Sequence, residues 1–101
     1  MSVSAINLHI RKFIAETDMN FYEWVLDPNN DSIFKQDVRV YGNDLWNTFI
    51  SEFPDFAKGG KRSISQNRFY QWMTAYAVFR TGVDPEWNRD ARGKYIIIKT
   101  K

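Results

Sequence analysis

Asn67, Arg68 and Gln71 lie in a stretch, Ser63 to Thr81, that contains no Asp or Glu, although the chain carries 12 acidic residues. Amide and guanidinium groups present paired donors and acceptors that match the edges of nucleic-acid bases. A helix laid in a DNA groove runs close to two rows of phosphates, where a carboxylate is repelled. An ordinary exposed helix face usually carries a Glu or two, because Glu is a good helix former. The missing acids therefore point to a surface kept clear for a polyanion.

At 100° per residue, Phe69, Trp72, Met73, Tyr76 and Ala77 fall on one side of a helix and read as core. Asn67, Gln71, Thr74 and Val78 fall on the other side, flanked by Arg68 and Tyr70. Lys58, Lys61 and Arg62 precede this helix, whose N-terminus itself attracts phosphate, and Ser65 stands where a cap is needed. Arg89, Arg92 and Lys94 follow it. These twelve residues (Lys58, Lys61, Arg62, Ser65, Asn67, Arg68, Tyr70, Gln71, Thr74, Arg89, Arg92 and Lys94) form the candidate DNA-binding set.

The charge of the chain is divided in the same sense. Residues 1–56 hold four basic and nine acidic residues, a balance of −5. Residues 57–101 hold ten basic and three acidic residues, a balance of +7. Such a split suggests a polyanion-binding face in the second half. Glu16, Asp18, Glu23, Asp27 and Asp31 are then expected to face away from DNA. Phe21, Tyr22 and Trp24 nearby serve either as anchors for a neighbouring domain or subunit, or as core.

Other chemistries find little support. "GGKRS" is like a phosphate-binding loop, but that motif needs Gly-x4-Gly-Lys followed by Ser or Thr. Asp55 occupies the first glycine position and Arg62 the hydroxyl position. His9 is the sole histidine, so neither a Ser–His–Asp set nor a histidine metal cluster can be built. Asp27, Asp31 and Asp37 lack the glycine and glutamate positions of a calcium loop. With no cysteine there is no disulfide frame and no thiolate site. No catalytic residue, cofactor or metal is expected.

No apolar run approaches ~18 residues, so no membrane span is expected. Arg11 and Lys12 interrupt the start of the chain where a signal peptide would be apolar, so a cytoplasmic setting is expected. The 101 residues, 44% hydrophobic and 17% aromatic, suffice for one small core, and a single domain over 1–101 is expected.

The elements that must position the candidate residues follow from periodicity and punctuation. Ile6, Ile10, Phe13 and Ile14 share a helix face. Phe21 with Val25, and Tyr22 with Leu26, continue a helical pattern, giving an extended N-terminal helical segment over about 3–27. Thr17 or Asp18 ends the first piece or caps the next. Lys35 to Gly42 alternates around Val38 and Val40 and predicts a short strand. Asn43 or Asp44 can cap a helix that buries Leu45, Trp46, Phe49 and Phe53 and stops at Pro54. A loop of about nine residues with two glycines leads to the acid-free helix, capped by Ser63 or Ser65 and ending near Gly82. "VDPEW" and "GKYIIIK" then flank a charged turn, "NRDARG", as a hairpin. The order predicts an α+β, mostly helical winged helix, a helix-turn-helix core with a C-terminal β-hairpin wing, in which the acid-free helix is the recognition helix.

"FIAE" (13–16), "DLWNTF" (44–49), "SISQNRF" (63–69), Gly82 and "RGKYIIIK" (92–99) follow an order that resembles the C-terminal winged-helix domain of phage, plasmid and poxvirus-type primase–helicases. The segment "DMNFYEWVLDPNNDSIF" (18–34) is longer than that pattern. The resemblance implies a non-catalytic accessory module that helps an appended helicase or primase hold origin or template DNA in replication, with a helicase or primase domain as partner; the expected ligand is duplex DNA, with some single-strand contact. The alternative is a winged helix that docks a replication or regulatory protein without touching DNA.

Overall fold

Thr17 and Asp18 divide the N-terminal segment into two helices. The computed structural model describes residues 3–99, with side chains from residue 10 onward; Ile6 and His9 therefore lie outside the described side chains. Helix α1 spans Val3–Glu16 and helix α2 spans Met19–Leu26. The Thr17 hydroxyl donates to Phe13 O at 2.7 Å, closing the end of α1. Asp18 is extended, and its carboxylate accepts from Asn20 N at 2.8 Å, so it caps α2.

The expected strand over Lys35 to Gly42 shrinks to β1, Val40–Tyr41. Asp37 interrupts it with φ of 60°, a left-handed conformation that Asp tolerates better than most residues. Asp37 N donates to Ile98 O at 2.9 Å, and Val38 is left 44% exposed rather than sharing a buried side with Val40.

Helix α3 spans Gly42–Glu52, and its N-cap is Tyr41, not Asn43 or Asp44. Gly42 does not end the strand; it is the first helical residue. The Tyr70 ring lies against it, and a Cβ there would come 2.6 Å from Tyr70 Cζ. Asn43 and Asp44 occupy the first turn, where Asp44 suits the positive end of the helix.

Residues 53–65, including the short turn Pro54–Phe56, link α3 to α4, a longer connection than expected. Helix α4 spans Gln66–Thr81, and Ser65 caps it by accepting from Arg68 N at 3.0 Å. Gly82 ends it in the left-handed conformation, φ 75°.

The hairpin is tighter than predicted. Strand β2, Glu86–Asp90, pairs with β3, Gly93–Ile97, and only Ala91 and Arg92 lie between them. Asn88, Arg89 and Asp90 thus belong to a strand, with Arg89 opposite Lys94. Strand β3 also pairs antiparallel with β1, so the sheet order is β1-β3-β2. Among the described residues, four helices with this small sheet make a helix-turn-helix core with a wing.

The core is aromatic. Phe21, Phe49 and Phe69 bring α2, α3 and α4 together, with ring centroids 5.2–5.9 Å apart. Trp24 meets Phe34 and Phe49, each at 5.1 Å. The predicted buried stripe of α4 is buried throughout, and Leu45 and Phe49 are fully buried. Phe21 and Trp24 are also fully buried, which removes them as anchors for a partner. Trp24 Nε1 is buried and has no acceptor among the described residues.

Candidate nucleic-acid interface

The first turns of α4 present Asn67, Arg68 and Gln71 to solvent. Tyr70 and Thr74, assigned to the same open side by helical periodicity, lie instead beneath the hairpin. The Tyr70 ring sits 5.1 Å from Trp87 of β2. Thr74 Oγ1 accepts from Trp87 Nε1 at 2.8 Å and donates to Tyr70 O at 3.1 Å. Both residues fasten the wing to α4. A helical wheel cannot see this, because the hairpin covers a face that the wheel leaves open.

That fastening creates a cleft of about 480 Å³ between the start of α3, the first turn of α4 and the hairpin. Asn43, Gln66, Asn67 and Tyr70 form one wall, and Arg89, Gly93 and Lys94 form the other. No carboxylate lines it. Gln66 Nε2 donates to Asn43 Oδ1 and to Tyr70 Oη, both at 2.6 Å, using both protons of its amide. Lys94 Nζ lies 5.2 Å above the Tyr70 ring and 5.1 Å above the Trp87 ring. The ammonium is held by cation–π attraction rather than by an acid, so its charge stays available to an incoming anion.

Asn43 and Gln66 escaped the sequence reading. Asn43 looked like a helix cap, and Gln66 fell outside the stripe of amides at 67 and 71. The signal that could have found Gln66 is its place directly after the capping serine, in the first turn of the acid-free helix.

Asp90, near the tip of the wing, is an ionised carboxylate paired within the sheet. It accepts from Tyr41 Oη at 2.7 Å, from Arg39 Nη1 at 2.9 Å and from Arg92 N at 2.8 Å. The Tyr41 hydroxyl, more than the two arginine contacts, holds the Asp90 carboxyl below its ordinary range, and the same bond raises the Tyr41 hydroxyl. Arg92 stacks over the Tyr41 ring at 4.4 Å and lines a different hollow, with Arg39 and Asp44.

The loop cations divide. Lys58 and Lys61 are exposed, and among the described residues neither they nor Arg68 and Arg89 have an ion-pair partner. Arg62 is different. Its guanidinium pairs with the Asp18 carboxylate and lies 4.6 Å over the Phe56 ring, tying the loop to the α2 cap. Asp18 therefore does not lie apart from the basic half of the chain. Of the twelve candidates, the structure gathers Asn67, Tyr70, Arg89 and Lys94 into one cleft; Arg68 and Gln71 lie on the exposed surface of α4, and Ser65 acts as its cap.

Among the described residues no helix is long and apolar enough to cross a membrane. No family model, no curated protein and no solved structure matches this chain. The architecture is of the winged-helix type, and the likeness to primase–helicase domains rests on the short motifs alone.

Proposed function

We propose that this domain binds duplex DNA, with the N-terminal half of α4 in the major groove and the hairpin along the adjoining backbone. The observation that carries this reading is the cleft between α4 and the wing, lined by Arg89, Lys94 and amide side chains without a carboxylate. Lys58, Lys61, Arg68, Arg89 and Arg92 meet phosphates, and Lys94 exchanges its ring contacts for one. Asn67 and Gln71 face base edges, where an amide makes a bidentate pair with adenine. Asn43 and Gln66 hold the floor of the cleft. The domain does no chemistry of its own and serves as an accessory module that holds DNA for a replicative primase or helicase.

Fluorescence anisotropy of a labelled duplex at two salt concentrations tests this. These six phosphate contacts imply a log–log salt slope of roughly −5. No binding at low salt, or a slope near zero, would remove the DNA reading.

A further inference from the structure

The cleft between α4 and the wing offers more than cations. Part of its wall is the ring of Tyr70, which is only half-buried and is backed by Trp87 of β2. Gly42 lies so close to Tyr70 Cζ and Oη that a Cβ there would clash, and the bond from Trp87 Nε1 to Thr74 fixes the second ring. The two rings are a platform held in place from both sides. On the facing wall Gly93 has φ of 121°, which favours glycine, and a Cβ there would come to 3.7 Å from Asn43 Nδ2. The cleft is thus kept open by a residue without a side chain.

Lys94 Nζ rests over both rings. When the ammonium turns to a phosphate, the ring face beneath it is uncovered. Lys94 stands opposite Arg89 in the β2–β3 register, so both cations reach a single phosphate. A duplex backbone fills only this half of the cleft, because its bases are stacked and paired inside the double helix. An unpaired nucleotide fills both halves, since its base has a free face to stack on an aromatic ring.

The polar groups beside the ring suit the edge of such a base. Gln66 spends both amide protons on Asn43 Oδ1 and Tyr70 Oη. Gln66 Oε1 is left as an acceptor, and Asn43 Nδ2 and the Tyr70 hydroxyl as donors, with no partner among the described residues. A stacking face flanked by donors and an acceptor is how a base taken out of a duplex is held. The volume of about 480 Å³ falls in the ~300–1,000 Å³ range of sites that enclose small ligands, and a double helix is too wide to enter it.

We infer that this cleft seats one unpaired nucleotide of a DNA strand, with its base on Tyr70 and its phosphate between Arg89 and Lys94. The inference rests on the DNA reading and deepens it. Asn67 belongs both to the cleft and to the exposed face of α4, so a duplex held on that face delivers a single-stranded tail to the cleft. The domain then prefers a tailed duplex to a blunt one.

Fluorescence anisotropy of the whole chain tests this with a blunt duplex, the same duplex with a short single-stranded tail, the same tail made of abasic sites, and a lone single strand. The tailed duplex binds at least about fivefold more tightly than the blunt one. The abasic tail, which keeps the phosphates and lacks the bases, loses that gain. Iodouracil at the first unpaired position crosslinks to Tyr70 on irradiation, as located by mass spectrometry. Tyr70→Phe keeps the ratio of tailed to blunt affinity, and Tyr70→Leu brings it to one. Should Tyr70→Leu fail to fold, the abasic tail and the crosslink decide on the wild-type chain. Equal binding of blunt and tailed duplexes, an equal gain from the abasic tail, or a crosslink away from Tyr70 overturns the inference and leaves the duplex reading standing. Binding of none of the four overturns both. A lone strand that binds as tightly as the tailed duplex and crosslinks to Tyr70 supports the nucleotide seat and removes the duplex reading.

Discussion

The two ends of α4 are built on opposite principles. At its N-terminal end the helix borders a cleft that is polar, cationic and free of carboxylates. At its C-terminal end it borders hollows that are largely apolar, with Glu16 and Asp31 at their edges. One buried stripe, Phe69 to Ala77, serves both ends and holds the helix to the core. The difference lies in what surrounds the helix: no carboxylate reaches its first turns, whereas its far end is bordered by Glu16 and Asp31 together with Lys12 and Arg80. A surface that meets phosphate excludes acids.

Charge reversal is the largest way to break this contrast. Arg89→Glu with Lys94→Glu places two carboxylates in the cleft, and duplex affinity at low salt should fall by about 100-fold or more. Leu26→Ser should leave the same anisotropy titration unchanged.

Next in size is the seat of the wing. Gly42→Ala sets a Cβ 2.6 Å from the Tyr70 ring, so Tyr70 must shift. Overpacking of this kind costs about 1–3 kcal/mol, readable from urea unfolding. Duplex binding should weaken with it, since Tyr70 positions Gln66 and underlies Lys94. Retained stability and binding would show that the cleft does not need this packing.

A smaller effect sharpens the division of the loop cations. Lys61→Ala should weaken every duplex alike and flatten the salt slope by about one unit. Arg62→Ala should leave that slope nearly unchanged and instead lower stability by about 0.2–1 kcal/mol, as expected for its partly exposed pair with Asp18. If Arg62 changes the slope and Lys61 does not, their roles are reversed.

Much of this was legible in the sequence, for physical reasons that also explain the rest. The α4 stripe, the Ser65 cap and the Gly82 stop follow from local periodicity and backbone preference. The hairpin is visible in the sequence, but its turn is narrower than the charged run suggests, because charged residues in a strand look like a loop when only one face is buried. Tyr70, Thr74, Arg62 and Asp90 were misread or left open for a single reason. Their partners, Trp87, Asp18, Tyr41 and Arg39, are distant along the chain. Phe21 and Trp24 were ambiguous because an aromatic on an amphipathic helix suits a core or an anchor equally well.

The smallest predicted effect is one of acidity. Asp90 is held below its ordinary pKa, so its bonds stabilise the wing above about pH 4 and are lost as pH falls through the lowered value. Asp90→Asn should flatten that part of the acid dependence of Trp87 fluorescence. An unchanged profile would mean the Tyr41 and Arg39 contacts contribute nothing to holding the hairpin.

The most direct measurement of the central claim is an amide chemical-shift map of the wild-type chain titrated with duplex DNA. The account predicts that the shifts gather at Asn43, at residues 58–61, at residues 66–71 and at residues 89–94, and that α2 and residues 75–80 stay still. Shifts centred on α2 and the far end of α4, or none at all, would contradict it.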